Sequence, residues 1–163
     1  MNGTPHGARL ERELNETRKE LLGEIRSLTA EDLSWAPKPD MKSYAALLQE
    51  IGVMEKLCIR WLKESATLDW REEDAALASL ATDPDKILQA LEAIRAETLQ
   101  YLRETSEEKL ETPIAVAEDW RQYMGAELEP EEFVRWISRH EYYHLGQIIS
   151  YRWIQGNNPY KPA

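Results

Sequence analysis

The chain contains one cysteine, one phenylalanine and only three histidines among its 163 residues. The single cysteine, Cys58, excludes an internal disulfide and is typical of proteins from a reducing compartment. No apolar run approaches the roughly 20 residues that a transmembrane helix needs, and the polar start of the sequence does not resemble a signal peptide. We therefore expect a cytoplasmic protein that does not interact with a membrane.

Positive charge is also scarce in this sequence. There are 20 lysines and arginines against 30 aspartates and glutamates, which gives a formal net charge of −10. Nucleic acids are bound by clusters of basic residues and repelled by surplus carboxylates, so they are poor candidate partners. No glycine-rich phosphate-binding loop is present either, and a nucleotide is therefore not expected as a ligand.

The residues that are abundant predict a folded, helical protein. Hydrophobic residues make up 42% of the chain, with six tryptophans and seven tyrosines, as expected for a single domain over residues 1–163. Apolar spacing of three and four residues predicts an all-α four-helix bundle. The predicted helices cover about 8–27, about 43–63, a third segment from 83–84 to at least 102, and about 130–155. Residues 105–129 lack a clean period; the stretch ETPIAVAEDW could pair briefly as a strand or form a loop, and the segment is predicted to be irregular.

Two histidines on the fourth predicted helix are candidate metal ligands. His140 and His144 are four positions apart, so they point in the same direction from a helix. Gln147 and Tyr151 continue the same line. Burying such polar groups without partners costs about 1–3 kcal/mol each, so we expect them to bind one another, water or a metal. This predicted inward face comprises Phe133, Trp136, Ile137, His140, Tyr143, His144, Gln147, Ile148, Tyr151 and Ile154.

A third ligand is predicted on the second helix, where Glu50 lies within the apolar stripe beside Met54 and Leu57. Glutamate is seldom buried unless it is paired or binds a metal, so Glu50 either coordinates an ion, pairs with an arginine or reaches out to solvent. Glu55 is a second acid on this helix, predicted at the edge of the stripe in contact with water. Two imidazoles and a carboxylate suit a divalent ion such as Zn, Fe, Mn or Ni.

Other interpretations of these residues are weaker. The segment from His140 to His144 matches the HExxH pattern of zinc proteases, but residues 145–163 contain no acid or histidine to complete that site. Cys58 is expected to be a small core residue. His6 is expected to lie in a mobile N-terminal arm without a role. Aromatic residues near the histidines either fill the core or line a ligand pocket; they are Trp61, Trp136, Tyr143 and Tyr151.

Three segments resemble the DinB/YfiT-like proteins: HEYYHLGQI followed by GNNP, SYAALLQEIGVMEKLCIRWL, and LTAEDLSWAPKPDMKS. The resemblance implies a four-helix bundle with an up-down-down-up order, frequent homodimers, and a divalent metal held by three histidines. Two of those histidines correspond to His140 and His144. The third corresponds to Glu50, which either replaces the neutral ligand with an anionic one or marks a site that has lost its metal. We favour replacement.

The same resemblance implies an activity on small molecules. Related proteins include S-transferases and isomerases that use low-molecular-weight thiols, and metal-dependent hydrolases. We therefore expect an ion held by Glu50, His140 and His144 to activate a small thiol or a water. The alternative is a non-catalytic bundle that binds a ligand or partner and retains a vestigial polar network. Candidate groups for orienting the ligands or handling protons are Glu141, Tyr143 and Gln147.

Overall fold

The computed structural model describes residues 4–67 and 69–157. It is mostly helical, which confirms the prediction of an all-α protein. The elements in chain order are α1 (Pro5–Ile25), α2 (Ala30–Ser34), α3 (Tyr44–Glu64), α4 (Trp70–Ala78), α5 (Pro84–Glu104), α6 (Glu107–Glu111), β1 (Ile114–Ala115), α7 (Arg121–Met124), β2 (Glu127–Leu128) and α8 (Pro130–Ile154). No helix in the described ranges is long and apolar enough to cross a membrane.

The four long helices begin and end close to the positions that the sequence predicts. The Ser43 hydroxyl accepts a hydrogen bond from the Ala46 amide at 3.2 Å and so caps α3. Asp83 caps α5 in the same way, with Pro84 in the first turn. After α8, Gly156 has a φ of +93°, a conformation that glycine adopts without strain and that ends the helix.

The short elements are the part of the fold that the sequence does not predict. The capping box formed by Thr29 and Asp32 starts α2, and Asp69 caps α4. The segment predicted as irregular contains α6, a 3-10 turn at Glu118–Trp120, α7, and the antiparallel pair of β1 with β2. Each of these elements is too short to display a hydrophobic period.

The long helices pack side by side, with α1 against α5 and α8, and α3 against α5 and α8. Near the end of α1, Glu24 lies 4.0 Å from Arg152 at the end of α8, so these two helices run in the same direction. Tyr44 at the start of α3 donates a hydrogen bond to Gln155 just beyond α8, at 2.9 Å. Therefore α3 runs opposite to α8, against which it packs.

Each long helix contributes one charged residue to a buried ionic cluster in that core. Arg18 of α1 binds Glu141 of α8 through Nε at 2.7 Å and Glu55 of α3 through Nη2 at 3.0 Å. Arg95 of α5 binds Glu55 through Nε at 2.6 Å and also contacts Glu141. The two positive and two negative charges balance. Each guanidinium also donates to a backbone carbonyl, Arg18 to Leu91 and Arg95 to Leu14.

This cluster corrects the prediction that Glu55 lies at the edge of α3 in contact with water. Glu55 is only 1% exposed, and its carboxylate accepts hydrogen bonds from two arginines and from Thr98. Burial acts to raise the pKa of Glu55, but the charges of Arg95 and Arg18 and their hydrogen bonds outweigh it and hold the pKa below its usual value. The Glu55 carboxylate can therefore be buried, because the charges of Arg18 and Arg95 compensate its own.

Candidate metal centre

The side chains of Glu50, His140 and His144 converge where α3 packs against α8. The Nε2 atoms of the two imidazoles are 3.2 Å apart, and Glu50 Oε2 lies 3.6 Å from His144 Nε2. One ligand atom from each residue can be chosen so that all three lie within 4.8 Å of one another. The predicted convergence of an acid from one helix with two imidazoles from another is therefore confirmed.

A hydrogen bond sets the orientation of His144. Its Nδ1 lies 2.7 Å from the side-chain oxygen of Gln147, which can only accept, so Nδ1 carries the proton. In the neutral ring the lone pair is then on Nε2, the nitrogen that faces His140 and Glu50. Gln147 in turn donates to the hydroxyl of Tyr143 at 3.3 Å. This chain of contacts presents His144 to the site in the tautomer that a metal requires.

Both histidines are held in the neutral form. Burial is the main cause that lowers the pKa of His140, to about 4, and the neighbouring His144 lowers it further, against an opposing effect of Glu50. Burial also lowers the pKa of His144. At neutral pH the two rings are therefore uncharged, and only an uncharged imidazole offers a lone pair to a metal.

The three residues lie in a pocket of roughly 350 Å³ that opens to solvent. Glu50 is 23% exposed, whereas His144 is buried. The ammonium group of Lys42 contacts Glu50 Oε2 from the connection that precedes α3. The residues around the pocket are Met41, Lys42, Glu50, His140, Tyr143, His144, Gln147 and Tyr151.

The donor set fits a divalent ion. Zinc binds imidazole nitrogens and carboxylate oxygens at ~2.0–2.2 Å, and a tetrahedral arrangement separates such ligand atoms by roughly 3.3 Å. The 3.2 Å between the two nitrogens and the 3.6 Å between His144 Nε2 and Glu50 Oε2 lie close to that spacing, and the remaining pair, His140 and Glu50, lies within 4.8 Å. Glu50, His140 and His144 could hold one ion and leave further coordination positions facing the pocket.

A sequence model of the DinB superfamily matches residues 13–148, a range that includes all three candidate ligands. The chain belongs to the DinB superfamily. The comparison with curated proteins found no match.

In this DinB-superfamily protein, the other predicted site residues occupy different environments. Gln147 and Tyr143 line the pocket, and Tyr143 is 63% exposed. Glu141 does not line it, because its side chain points into the bundle core and binds Arg18 and Arg95 in the ionic cluster. Its position does not support the expectation that it handles protons beside the ligands.

The buried face of α8 is correspondingly rotated from the predicted one. Tyr143 and Ile154, both predicted to face inward, are exposed. The residues that are buried on α8 are Pro130, Phe133, Val134, Ile137, Ser138, Glu141, His144, Leu145, Ile148 and Tyr151. The sequence prediction placed His140 and His144 at the middle of the stripe, whereas they lie at its edge, which is why the pocket is open.

Two further predictions concern residues outside the pocket. Cys58 is fully buried in the core, as expected, and burial raises the pKa of its thiol. The expectation that His6 lies in a mobile arm is wrong, because His6 belongs to the first turns of α1 and contacts Glu111 and Glu131. Thr4 caps that helix and extends it toward the N-terminus beyond the predicted start.

Lys42 is the charged pocket residue that the sequence prediction missed, together with its neighbour Met41. It lies in the proline-containing connection before α3, immediately before the capping residue Ser43. A connection has no helical period, so no pattern indicates which way its side chains point. The contact joins Lys42 to a residue eight positions further along the chain, and that separation alone does not predict it.

Proposed function

We propose that this DinB-superfamily protein is a divalent-metal-dependent enzyme in which Glu50, His140 and His144 hold one ion. The substrate is a small molecule, and the reaction is transfer of a small thiol or hydrolysis by water. The observation that carries this proposal is the convergence of three metal-ligating side chains on an open pocket, within 4.8 Å of one another. When bound, a divalent ion would lower the pKa of a thiol or water at its open position and so supply a nucleophile at neutral pH.

The residues of the chain have separate tasks in this proposal. Gln147 keeps the proton of His144 on Nδ1 and leaves Nε2 free for the ion. Tyr143 lines the pocket and is largely exposed, so a substrate can reach its hydroxyl, which accepts a hydrogen bond from Gln147. We assign Tyr143 to orienting the substrate or moving a proton during the reaction. A volume of roughly 350 Å³ suits a substrate of low molecular weight.

We further infer that the four long helices form an up-down-down-up bundle. The parallel ends of α1 and α8 and the antiparallel contact of α3 with α8 support this order. A homodimer and a cytoplasmic location remain predictions, the first from the DinB resemblance and the second from the sparse use of cysteine. Light scattering on the purified protein measures the first directly.

A second candidate function is a non-catalytic bundle whose former metal site binds a ligand without an ion. The contact of Lys42 with Glu50 favours this alternative, because it gives the carboxylate a cation that belongs to the chain itself. In that case the two histidines and Gln147 form only a hydrogen-bonded network.

Metal analysis separates the two candidates. We expect protein purified without an affinity tag or chelator to contain about one divalent ion per chain, and its melting temperature to rise with added Zn, Ni, Mn or Fe(II), because a ligand of the native state stabilises it. The variant His144→Ala should lose the ion, whereas His6→Ala, which removes an imidazole far from the pocket, should keep it. The proposal is wrong if the wild type neither contains nor responds to any of these ions.

An activity screen follows from the same preparation. The metal-loaded protein is assayed in two series: low-molecular-weight thiols together with electrophilic acceptors, and small esters and amides. We expect turnover in one of these two series that disappears in His144→Ala and persists in His6→Ala. Turnover that survives the loss of His144 would show that the activity arises elsewhere.

A further inference from the structure

We propose that Lys42 competes with the metal ion for Glu50 and, once displaced, binds an anionic group of the substrate. The inference rests on the proposed function and adds to it the charge of the substrate. It follows from one juxtaposition: a lysine side chain contacts the same carboxylate oxygen that lies 3.6 Å from His144 Nε2.

The competition is a consequence of geometry. Glu50 Oε2 is the atom that contacts the Lys42 ammonium group, and the same atom lies 3.6 Å from His144 Nε2. An ion shared between His144 and this oxygen would stand close to the ammonium group, and two cations so placed repel each other. The contact between Lys42 and Glu50 therefore has to loosen or break when the ion binds.

Lys42 is able to move in this way. Its side chain is 54% exposed, and the hydrogen bonds and ion pairs of the described residues give its ammonium group one partner, Glu50. The lysine side chain has a flexible stem of four carbons, and its ammonium group carries three N–H donors. Rotation about the bonds of the stem can therefore turn the ammonium group from Glu50 toward a ligand in the pocket. The backbone before α3 is meanwhile fixed, because Ser43 caps the helix.

The displaced ammonium group then determines which substrates fit. Lys42 is the one lysine or arginine among the residues that line this pocket in the described ranges, in a protein of net charge −10. A free ammonium group beside the ion attracts a carboxylate, sulfonate or phosphate. Together with the aromatic walls of Tyr143 and Tyr151, this favours a small anionic substrate that also carries an apolar part.

Zinc titrations by calorimetry test the competition. We expect Lys42→Met to bind zinc about fivefold more tightly than the wild type, because an exposed ion pair no longer has to be broken. Lys42→Arg, which retains the charge, should stay close to the wild type. Lys38→Met, which removes a lysine of the same connection from an exposed position, is the matched control and should also match the wild type.

The outcomes distinguish this inference from the proposed function. Equal or weaker zinc binding by Lys42→Met overturns the competition while leaving the metal site intact. If neither the wild type nor Lys42→Met binds zinc, nickel, manganese or iron(II), the proposed function fails and the inference fails with it. Zinc binding by Lys42→Met alone would support the competition in its strongest form.

A second titration tests the anion-binding role. Methanesulfonate is used as the probe because it coordinates metals weakly, and a neutral sulfone of similar size serves as its control. We expect methanesulfonate to increase the zinc affinity of the wild type and to leave that of Lys42→Met unchanged, at constant ionic strength. An equal effect on both proteins, or no effect on either, would contradict the assignment of Lys42 to the substrate anion.

Discussion

The ring of His144 donates a hydrogen bond through Nδ1 to the side-chain oxygen of Gln147 at 2.7 Å, and this contact determines which nitrogen faces Glu50. Both residues lie on α8, three positions apart, so the helix itself keeps them in register. A ligand histidine is useful only if its free nitrogen points at the ion. The candidate metal site would therefore depend on a residue that is not itself a candidate ligand.

Replacing this partner should weaken metal binding without removing a ligand. We expect Gln147→Leu to lower the zinc affinity about 10–100-fold, because the His144 ring loses the acceptor that fixes its tautomer. Gln147→Glu retains an acceptor oxygen and should bind zinc at least as well as the wild type. Calorimetry measures both, and wild-type affinity in Gln147→Leu would show that the hydrogen bond does not orient the ligand.

Glu50 should contribute as a ligand, and a second glutamate offers a matched comparison. Glu73 on α4 contacts Lys56 much as Glu50 contacts Lys42, but it has no histidine beside it. We expect Glu50→Gln to weaken zinc binding by at least about tenfold, since the anionic ligand is lost. Glu73→Gln should leave zinc binding unchanged. A competition assay with a chromophoric chelator compares them, and equal affinities would remove Glu50 from the ligand set.

Removing one partner from the buried ionic cluster should destabilise the fold strongly. We expect Arg95→Met to reduce the free energy of unfolding by about 3–5 kcal/mol, because it leaves the carboxylates of Glu55 and Glu141 without one of their two cations. Arg103→Met removes an arginine from the same helix, but its ion pair with Glu11 is exposed and screened by solvent, so its loss should be far smaller. Urea denaturation measures both losses. Similar losses in the two variants would mean that burial does not strengthen the cluster.

Acid should destabilise the protein through Glu55. Its pKa in the folded protein is below the reference value of 4.5, so the unfolded chain binds a proton more readily in the interval between the two values. The stabilisation is therefore complete above about pH 4.5 and is lost as the pH falls through the folded pKa. Urea midpoints measured from neutral to acidic pH should show this decrease.

The control for that measurement is Glu55→Gln. This variant should be less stable than the wild type at neutral pH, since two buried arginines lose an anionic partner. Its stability should also depend less steeply on pH below the reference pKa of glutamate. An unchanged slope in the variant would assign the acid sensitivity to other carboxylates.

The sequence predicted the long helices and the three candidate ligands for a single physical reason. Each ligand lies on a helix whose apolar residues recur with the helical period, so the direction of its side chain can be calculated from its position. This is why Glu50 could be predicted to face the interior of the bundle, as His140 and His144 do, although the DinB resemblance implies a histidine at its position.

Lys42 and the ionic cluster could not be predicted in that way. Lys42 lies in a connection without a period, and its contact with Glu50 depends on how that connection folds back. Arg18, Glu55, Arg95 and Glu141 each resemble solvated surface residues when one helix is considered alone. Only the packing of four helices brings their charges together, and no pattern along the chain records which helices meet.

The most direct test of the metal site is a crystal structure of the untagged protein soaked with zinc, with anomalous scattering recorded at the zinc edge. We expect one strong anomalous peak per chain, at ~2.0–2.2 Å from Nε2 of His140, Nε2 of His144 and a carboxylate oxygen of Glu50, with the Lys42 ammonium group moved off that oxygen. A crystal that shows no peak between these residues at saturating zinc, with Lys42 still bound to Glu50, would contradict the proposed metal centre.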